Sequence, residues 1–246
     1  MVEKRNYLKE TVVNNLNEKL QAIDLLYKSS ILNRIGLTKD TKEYYTEVYS
    51  EELLNNIKKL DSIKRVTRKK SYFVNSHLSV NYTITSNRHE DMFSKRLMGL
   101  NLSEIGYVLD YQIPLKDTNK DKGLGKIDLL TYQDHKERMH IVELKYGDNK
   151  ETLLRAVLEC YTYFKTVNLE ILIADYINEY TSRVFEFDES TNSSNIKIVP
   201  TVLLSKSCNA YKELKEMEKG LRPNLKELVD KLGVEIYTIE INCKKH

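Results

Sequence analysis

The stretch GKIDLLTYQDHKERMHIVELKYG, residues 125–147, decides how this chain is read. Two short apolar runs flank a polar QDHKE, and charges stand inside both runs: Asp128 in the first, Glu143 and Lys145 in the second. A strand bound for burial should not carry a carboxylate in its middle. The spacing predicts antiparallel strands over 126–132 and 139–145, joined by a tight polar turn. With the turn centred between His135 and Lys136, Asp128 lies opposite Glu143, and directly opposed Cβ atoms are ~5 Å apart. Alternation puts Lys145 on the same face and turns Val142 and Leu144 to the other. A slip of one residue would scatter the three charges.

Two carboxylates so close repel, and one of them should hold its proton more tightly. A divalent cation reverses that cost, and hard oxygen ligands suit Mg²⁺ or Mn²⁺. Such an ion polarises a phosphoryl oxygen and acidifies a water, while a neighbouring ammonium stabilises the charge that grows on the phosphorus centre. The residue types are those of metal-assisted phosphodiester hydrolysis.

Outward from this stretch, periodicity predicts helices over 3–35 and 41–65 and a β-rich segment over 72–85. It then predicts a helix over 87–99, a strand over 105–115, the strand pair, and an amphipathic helix over 151–167. LEILIADY (169–176) reads as a buried strand, followed by a strand at 196–204, helices flanking Gly220 and Pro223, and a closing strand over 234–241. From residue 87 the expected order is α-β-β-β-α-β with later additions, an α/β or α+β fold with a central mixed sheet flanked by helices. The expected segments are an N-terminal helical region (1–70), a core (71–205) and a C-terminal helix-strand extension (206–246).

With 246 residues the chain can bury a sizeable core without disulfides or a structural metal. Lys and Arg number 39 against 36 Asp and Glu, a net +3, too small an excess to argue for a polyanion by itself. Any nucleic-acid surface must come from local clustering, and Lys64, Arg65, Arg68, Lys69 and Lys70 supply a basic run, which could equally be a solvated helix end. Tyrosine is the dominant aromatic, with 17 against five Phe and no Trp. Cys160, Cys208 and Cys243 form no CxxC pair and read as reduced thiols. No secretory h-region and no membrane-length apolar run is present, so a cytoplasmic protein without a membrane partner is expected.

The Asp of GKIDLL followed by IVELKY resembles the PD-(D/E)xK nuclease superfamily, and the α-β-β-β-α-β order is similar to that superfamily's restriction-endonuclease-like core. The resemblance covers roughly residues 87–175. It implies Asp128 and Glu143 as metal ligands, Lys145 as the catalytic lysine, the carbonyl of Leu144 as a further ligand, and Mg²⁺ or Mn²⁺ as cofactor. It also implies an acidic residue from the preceding helix, a place that Glu90 fits. Arg155, Glu159 and Tyr163 share one helix face, and Glu159-xxx-Tyr163 stands where members similar to the RecB-like nucleases carry Gln-xxx-Tyr. Two departures are plain: Ile127, not Pro, precedes Asp128, and Glu replaces that Gln. The activity implied is a nuclease acting on DNA ahead of RNA, with a second copy of the chain as a further candidate partner.

Each residue also has a plainer reading. Glu143 and Lys145 would be surface charges if 139–145 were an edge strand with one wet face. Glu90 completes the capping-box pattern Asn87-x-x-Glu90. Arg155 and Glu159 fit an i,i+4 ion pair, and Tyr163 fits packing. Two other classes therefore remain: a nuclease-like module that binds nucleic acid or protein without cutting, and an unrelated α/β domain whose Glu143 and Lys145 lie exposed on an uncovered sheet face.

Overall fold

The computed structural model describes residues 6–66, 68–73, 89–117, 123–180 and 195–240. Most of the β-rich segment expected over 72–85, with Asn87, Cys243 and the terminal His246, lies outside the described residues. Among those described, eight helices and six strands form a mixed α/β fold. The helices are α1 (Lys9–Lys19), α2 (Tyr45–Asn55), α3 (Ile57–Asp61), α4 (His89–Leu97), α5 (Leu153–Thr166), α6 (Leu169–Tyr180), α7 (Asn209–Glu218) and α8 (Pro223–Leu232). The strands are β1 (Asn101–Leu102), β2 (Gly106–Pro114), β3 (Lys126–Gln133), β4 (Arg138–Lys145), β5 (Lys197–Ser205) and β6 (Glu235–Ile239). They form one sheet in sequence order, antiparallel from β1 to β4 and parallel from β4 to β6. Parallel neighbours need crossovers, which α5 with α6 and α7 with α8 provide.

The strand pair has the expected register. Leu129 faces Val142 and Thr131 faces His140, so the next step along the ladder sets Asp128 against Glu143. β4 is no edge strand, because β3 flanks it on one side and β5 on the other. Both of its faces are covered. Val142 and Leu144 pack with Phe93 and Leu97 of α4, while Met139 and Ile141 join the larger core beneath α5. That larger core runs from Val12 to Val234 and takes in residues of all three expected segments.

One expected strand is a helix. LEILIADY begins α6, and its buried residues Leu172, Ile173 and Tyr176 fall at helical spacing. A short apolar run does not by itself distinguish a buried strand from a helix; the Asn168 side chain, which accepts from the Ile171 N–H (3.3 Å), starts the helix here. The β-α-β step after β4 is therefore β4-α5-α6-β5, with the strand expected at 196–204 as its end. The first expected helix is also broken: beyond α1, two 3-10 segments reach Asn33, with Ala22 out of helical geometry.

Local signals account for α5 and α8. The Thr152 side chain accepts from the Arg155 N–H (3.2 Å) as N-cap of α5, and its hydroxyl donates to the Leu32 carbonyl (2.6 Å). Glu213 of α7 is buried and accepts from the Leu153 N–H (2.9 Å), satisfying another orphan donor of α5. Pro223 opens α8 and Gly233, with φ 64°, closes it. Part of the tyrosine excess is core: Tyr27, Tyr49, Tyr72 and Tyr176 are buried with their hydroxyls bonded. Cys160 lies on the buried side of α5, its thiol reaching the carbonyls of Ile141 (3.4 Å) and Thr201 (3.3 Å).

The start of β2 has no room for a side chain. Gly106 has φ 82°, and a Cβ there would lie 2.1 Å from the Tyr132 carbonyl oxygen, which belongs to the sheet and cannot move aside. Gly106→Ala is expected to lower the unfolding free energy by about 3 kcal/mol, combining left-handed strain with overpacking. Gly220→Ala, equally left-handed (φ 75°) but in open space, should cost only about 1 kcal/mol. Urea denaturation of both variants checks the difference.

A candidate active site at the end of the central strands

β3 and β4 bring Asp128, Glu143 and Lys145 together under α5. Glu143 and Lys145 are each 4% exposed, which removes the reading of them as surface charges on a wet face. The Lys145 Nζ donates to Glu143 Oε1 (2.7 Å) and pairs with Glu151 Oε2 (2.5 Å) and Glu159 Oε2 (3.5 Å). Asp128 Oδ2 accepts from the Leu144 N–H (2.9 Å), and its Oδ1 accepts from the Gln112 side-chain amide (2.7 Å). Each strand contributes by alternation: beyond Ile141 the α5-facing side of β4 changes from apolar to charged, and beyond Leu130 so does that of β3.

The helices supply the rest. Glu90, at the start of α4, accepts from the Tyr146 N–H (3.1 Å) and the Asn149 side chain (2.7 Å), just past the end of β4. Phe93 stacks on Tyr146 with ring centroids 3.7 Å apart and holds that end of α4 in place. The Tyr163 hydroxyl donates to Glu159 Oε1 (2.7 Å). Arg155 pairs with Glu151 (2.9 Å), one turn earlier on the chain; the i,i+4 pair expected with Glu159 does not form. Gly125 is glycine for space, since a Cβ would lie 2.0 Å from the Tyr163 hydroxyl.

The charges do not balance. Five carboxylates, of Glu90, Asp128, Glu143, Glu151 and Glu159, gather around the two cations Lys145 and Arg155. Burial pushes Asp128 up to about 7, against the pull of Lys145. Burial, then the Asp128 and Glu159 charges, raise Glu143 well above the ordinary carboxyl range. Burial raises Glu90 as well. Burial works against the Lys145 ammonium, but Glu143, Glu159, Glu151 and Asp128 outweigh it and hold its pKa well above the ordinary value. Hard oxygen donors with surplus negative charge are the chemistry a divalent cation answers. No group of three or more His, Cys, Asp or Glu among the described residues is already drawn close enough to hold a metal ion. Loading would thus require the carboxylates to exchange some of their present hydrogen bonds for the ion.

Three participants carried no sequence signal strong enough to single them out. Gln112 occupies a left-handed backbone conformation (φ 50°) inside β2, a strained state for a non-glycine residue, and it aims its amide at Asp128. Glu151 sits in the loop before α5. Tyr27, from the N-terminal region, meets Tyr163 edge to face at 5.5 Å. The basic run is divided. Lys64, Arg65, Lys69 and Lys70 are exposed, whereas Arg68 is buried, bonded to the carbonyls of Lys70 (2.8 Å), Ser71 (2.6 Å) and Lys116 and laid over the Tyr72 ring. Arg68 is therefore a structural residue and not the phosphate contact expected of it. The Val66 N–H donates to the Thr166 carbonyl (2.8 Å), which ties the chain next to Lys64 and Arg65 to the C-terminal end of α5, and the backbone amides of Lys69 and Lys70 bond to Asp117.

A raised carboxyl pKa makes stability fall as pH rises. Below about pH 4 both folded and unfolded Asp128 hold the proton; between about 4 and 7 only the folded form does, and each unit there lowers stability, with no further loss above 7. Without divalent metal, Asp128→Asn is expected to reduce this slope, leaving the part that Glu143 and Glu90 contribute, and to be more stable than the parent above pH 7 by a few kcal/mol. Thermal or urea unfolding from pH 4 to 8 in chelator reads it.

No family model, no curated protein and no solved structure matches this chain.

Proposed function

We propose that the chain is a Mg²⁺- or Mn²⁺-dependent nuclease of the PD-(D/E)xK type, hydrolysing phosphodiester bonds in DNA ahead of RNA. The observation that carries the reading is the convergence of the half-buried Asp128 with the buried Glu143 and Lys145 on adjacent strands, in the register expected of the motif. The antiparallel β2-β3-β4 meander followed by α5 and a parallel β5 supports a restriction-endonuclease-like core.

In this reading Asp128 and Glu143 would hold the ion, with Glu90 and the Leu144 carbonyl as further ligands. When bound, the ion would supply Lewis-acid polarisation of a phosphoryl oxygen and an acidified water. Lys145, held protonated by its carboxylate neighbours, acts as a fixed cation against the negative charge that develops on the phosphorus centre. Glu151, Glu159 and, through Glu159, Tyr163 fix the position of that ammonium. Gln112 and the Leu144 N–H orient the Asp128 carboxylate. The exposed Lys64, Arg65, Lys69 and Lys70 supply salt-dependent attraction for a phosphate backbone.

The test is a panel of plasmid, linear duplex, single-stranded DNA and RNA with Mg²⁺ or Mn²⁺. Asp128→Asn and Glu143→Gln should lose at least about a hundredfold in rate; Asp128→Asn should fold as well as the parent or better, whereas Glu143→Gln removes a counterion of the buried Lys145 and should cost stability. Lys145→Ala should lose activity and about 3 kcal/mol of stability together, because it leaves Glu143 buried and uncompensated. Cleavage that survives in Asp128→Asn and Glu143→Gln would place the chemistry elsewhere. Binding without cleavage by the parent would identify a nuclease-like binding module.

A further inference from the structure

The N-terminal chain carries a groove outside the acidic cluster. α1 ends at Lys19, and the 3-10 segment Leu20–Lys28 follows with Ala22 out of helical geometry (φ −116°, ψ 60°). In one continuous α-helix, residues nine apart such as Lys19 and Lys28 would face opposite sides. The break at Ala22 instead brings both to one groove of about 280 Å³, whose lining Ala22, Leu25, Leu26 and Ser29 complete.

The charge of this lining has one sign. Among the described residues no Asp or Glu contributes to it, and Glu18 and Asp24, close by in sequence, lie outside it. Both lysines are exposed, and among the described residues neither pairs with a carboxylate. The Lys28 ammonium is nevertheless held in place: it donates to the Gly123 carbonyl and lies 5.4 Å from the centre of the Tyr27 ring. An ammonium has three N–H donors, so the bond to Gly123 leaves two for a ligand. Cations of one sign above an apolar floor focus their field on an anion. The volume falls just below that of sites that enclose a small molecule, which suits a contact along a longer polyanion.

The groove adjoins the candidate active site. A Cβ on Gly123 would lie 3.1 Å from Leu25 Cδ2, and Gly125, two residues on, abuts the Tyr163 hydroxyl. Tyr163 bonds Glu159, which pairs with Lys145, and Tyr27 meets Tyr163 edge to face. That path of contacts sets Lys28 on the order of 10–15 Å from Lys145, three or four steps of a DNA strand at ~3.4 Å each. We propose that Lys19 and Lys28 form a phosphate subsite, which holds the nucleic-acid backbone a few nucleotides from the bond that is cut and does so whatever the base sequence. The inference deepens the nuclease reading and rests on it for the choice of nucleic acid among polyanions.

The experiment is a fluorescence-anisotropy titration of the full chain, in EDTA, with a labelled DNA duplex over about 50–200 mM NaCl. Lys19→Gln and Lys28→Gln should each reduce the steepness of log K against log[salt] by about 0.9, and the double variant by about 1.8, with the same result for a duplex of unrelated sequence. Lys226→Gln with Lys231→Gln removes the same formal charge from two exposed lysines of α8 and should leave the slope unchanged. In the parent, which needs no variant, DNA should shield Lys19 and Lys28 from acetylation by an N-hydroxysuccinimide ester, read by mass spectrometry, while Lys226 and Lys231 react as before. The inference is overturned by a parent that does not bind the duplex, by an unchanged slope in the double variant, by an equal fall in the α8 variant, or by undiminished acetylation of Lys19 and Lys28. Displacement of the duplex by oligoglutamate at equal charge would overturn it too, in favour of an acidic protein. Because binding is read without metal, its outcome is separate from cleavage: an unchanged slope with intact Mg²⁺-dependent cutting refutes the subsite alone, and the expected slopes without cutting refute the nuclease alone.

Discussion

The Lys145 ammonium lies beneath α5, where an isolated charge would cost several kcal/mol, and it is stable there because Glu143, Glu151 and Glu159 close around it. This arrangement constrains much of the molecule. It needs β4 in the middle of the sheet, with α5 above it and the loop before α5 folded back to deliver Glu151. It needs the start of α5 held firmly, which Thr152 and the buried Glu213 accomplish from opposite directions. Glu213 in turn belongs to α7 and lies near Arg222, which also pairs with Glu216 (2.5 Å). The C-terminal helices are thus joined to the geometry of a site they do not touch.

The same cluster holds more carboxyl groups than its own cations can neutralise, and burial answers the surplus by raising the pKa values of Asp128, Glu143 and Glu90. A purely structural ion-pair network would come closer to balance, since an unmatched buried carboxylate contributes nothing to stability that an apolar residue would not exceed. Proteins retain such imbalance where function requires it, at a cost in folding free energy. The left-handed Gln112 belongs to the same account: a strained backbone inside a strand persists where the surrounding structure demands it, and here it delivers an amide to Asp128.

Much of the site was legible in the chain because alternation along a strand is rigid. Once the polar turn at 133–137 was centred, the facing of Asp128 and Glu143 followed, and the ladder has that register. Helical periodicity was equally informative for α5. It failed for 169–176, where the short run is apolar throughout and an Asn168 cap decides between helix and strand. Glu151 and Gln112 were not legible, because a loop glutamate and a strand glutamine acquire roles only from long-range neighbours. Arg68 shows the converse error: a run of like charges reads as a surface, yet one guanidinium with five donors can turn inward and bind three carbonyls. Glu90 lay between these cases, its place on α4 foreseen and its partners Tyr146 and Asn149 not.

Cys160 gives this architecture a chemical clock. Its thiol is enclosed between α5 and the two parallel strands below, and burial, with Glu143 nearby, holds it protonated far above the range in which thiols react. An alkylating reagent therefore meets no nucleophile here until α5 lifts from the sheet. The rate of labelling at this one sulfur reports how often the roof over the acidic cluster opens, without any engineered probe.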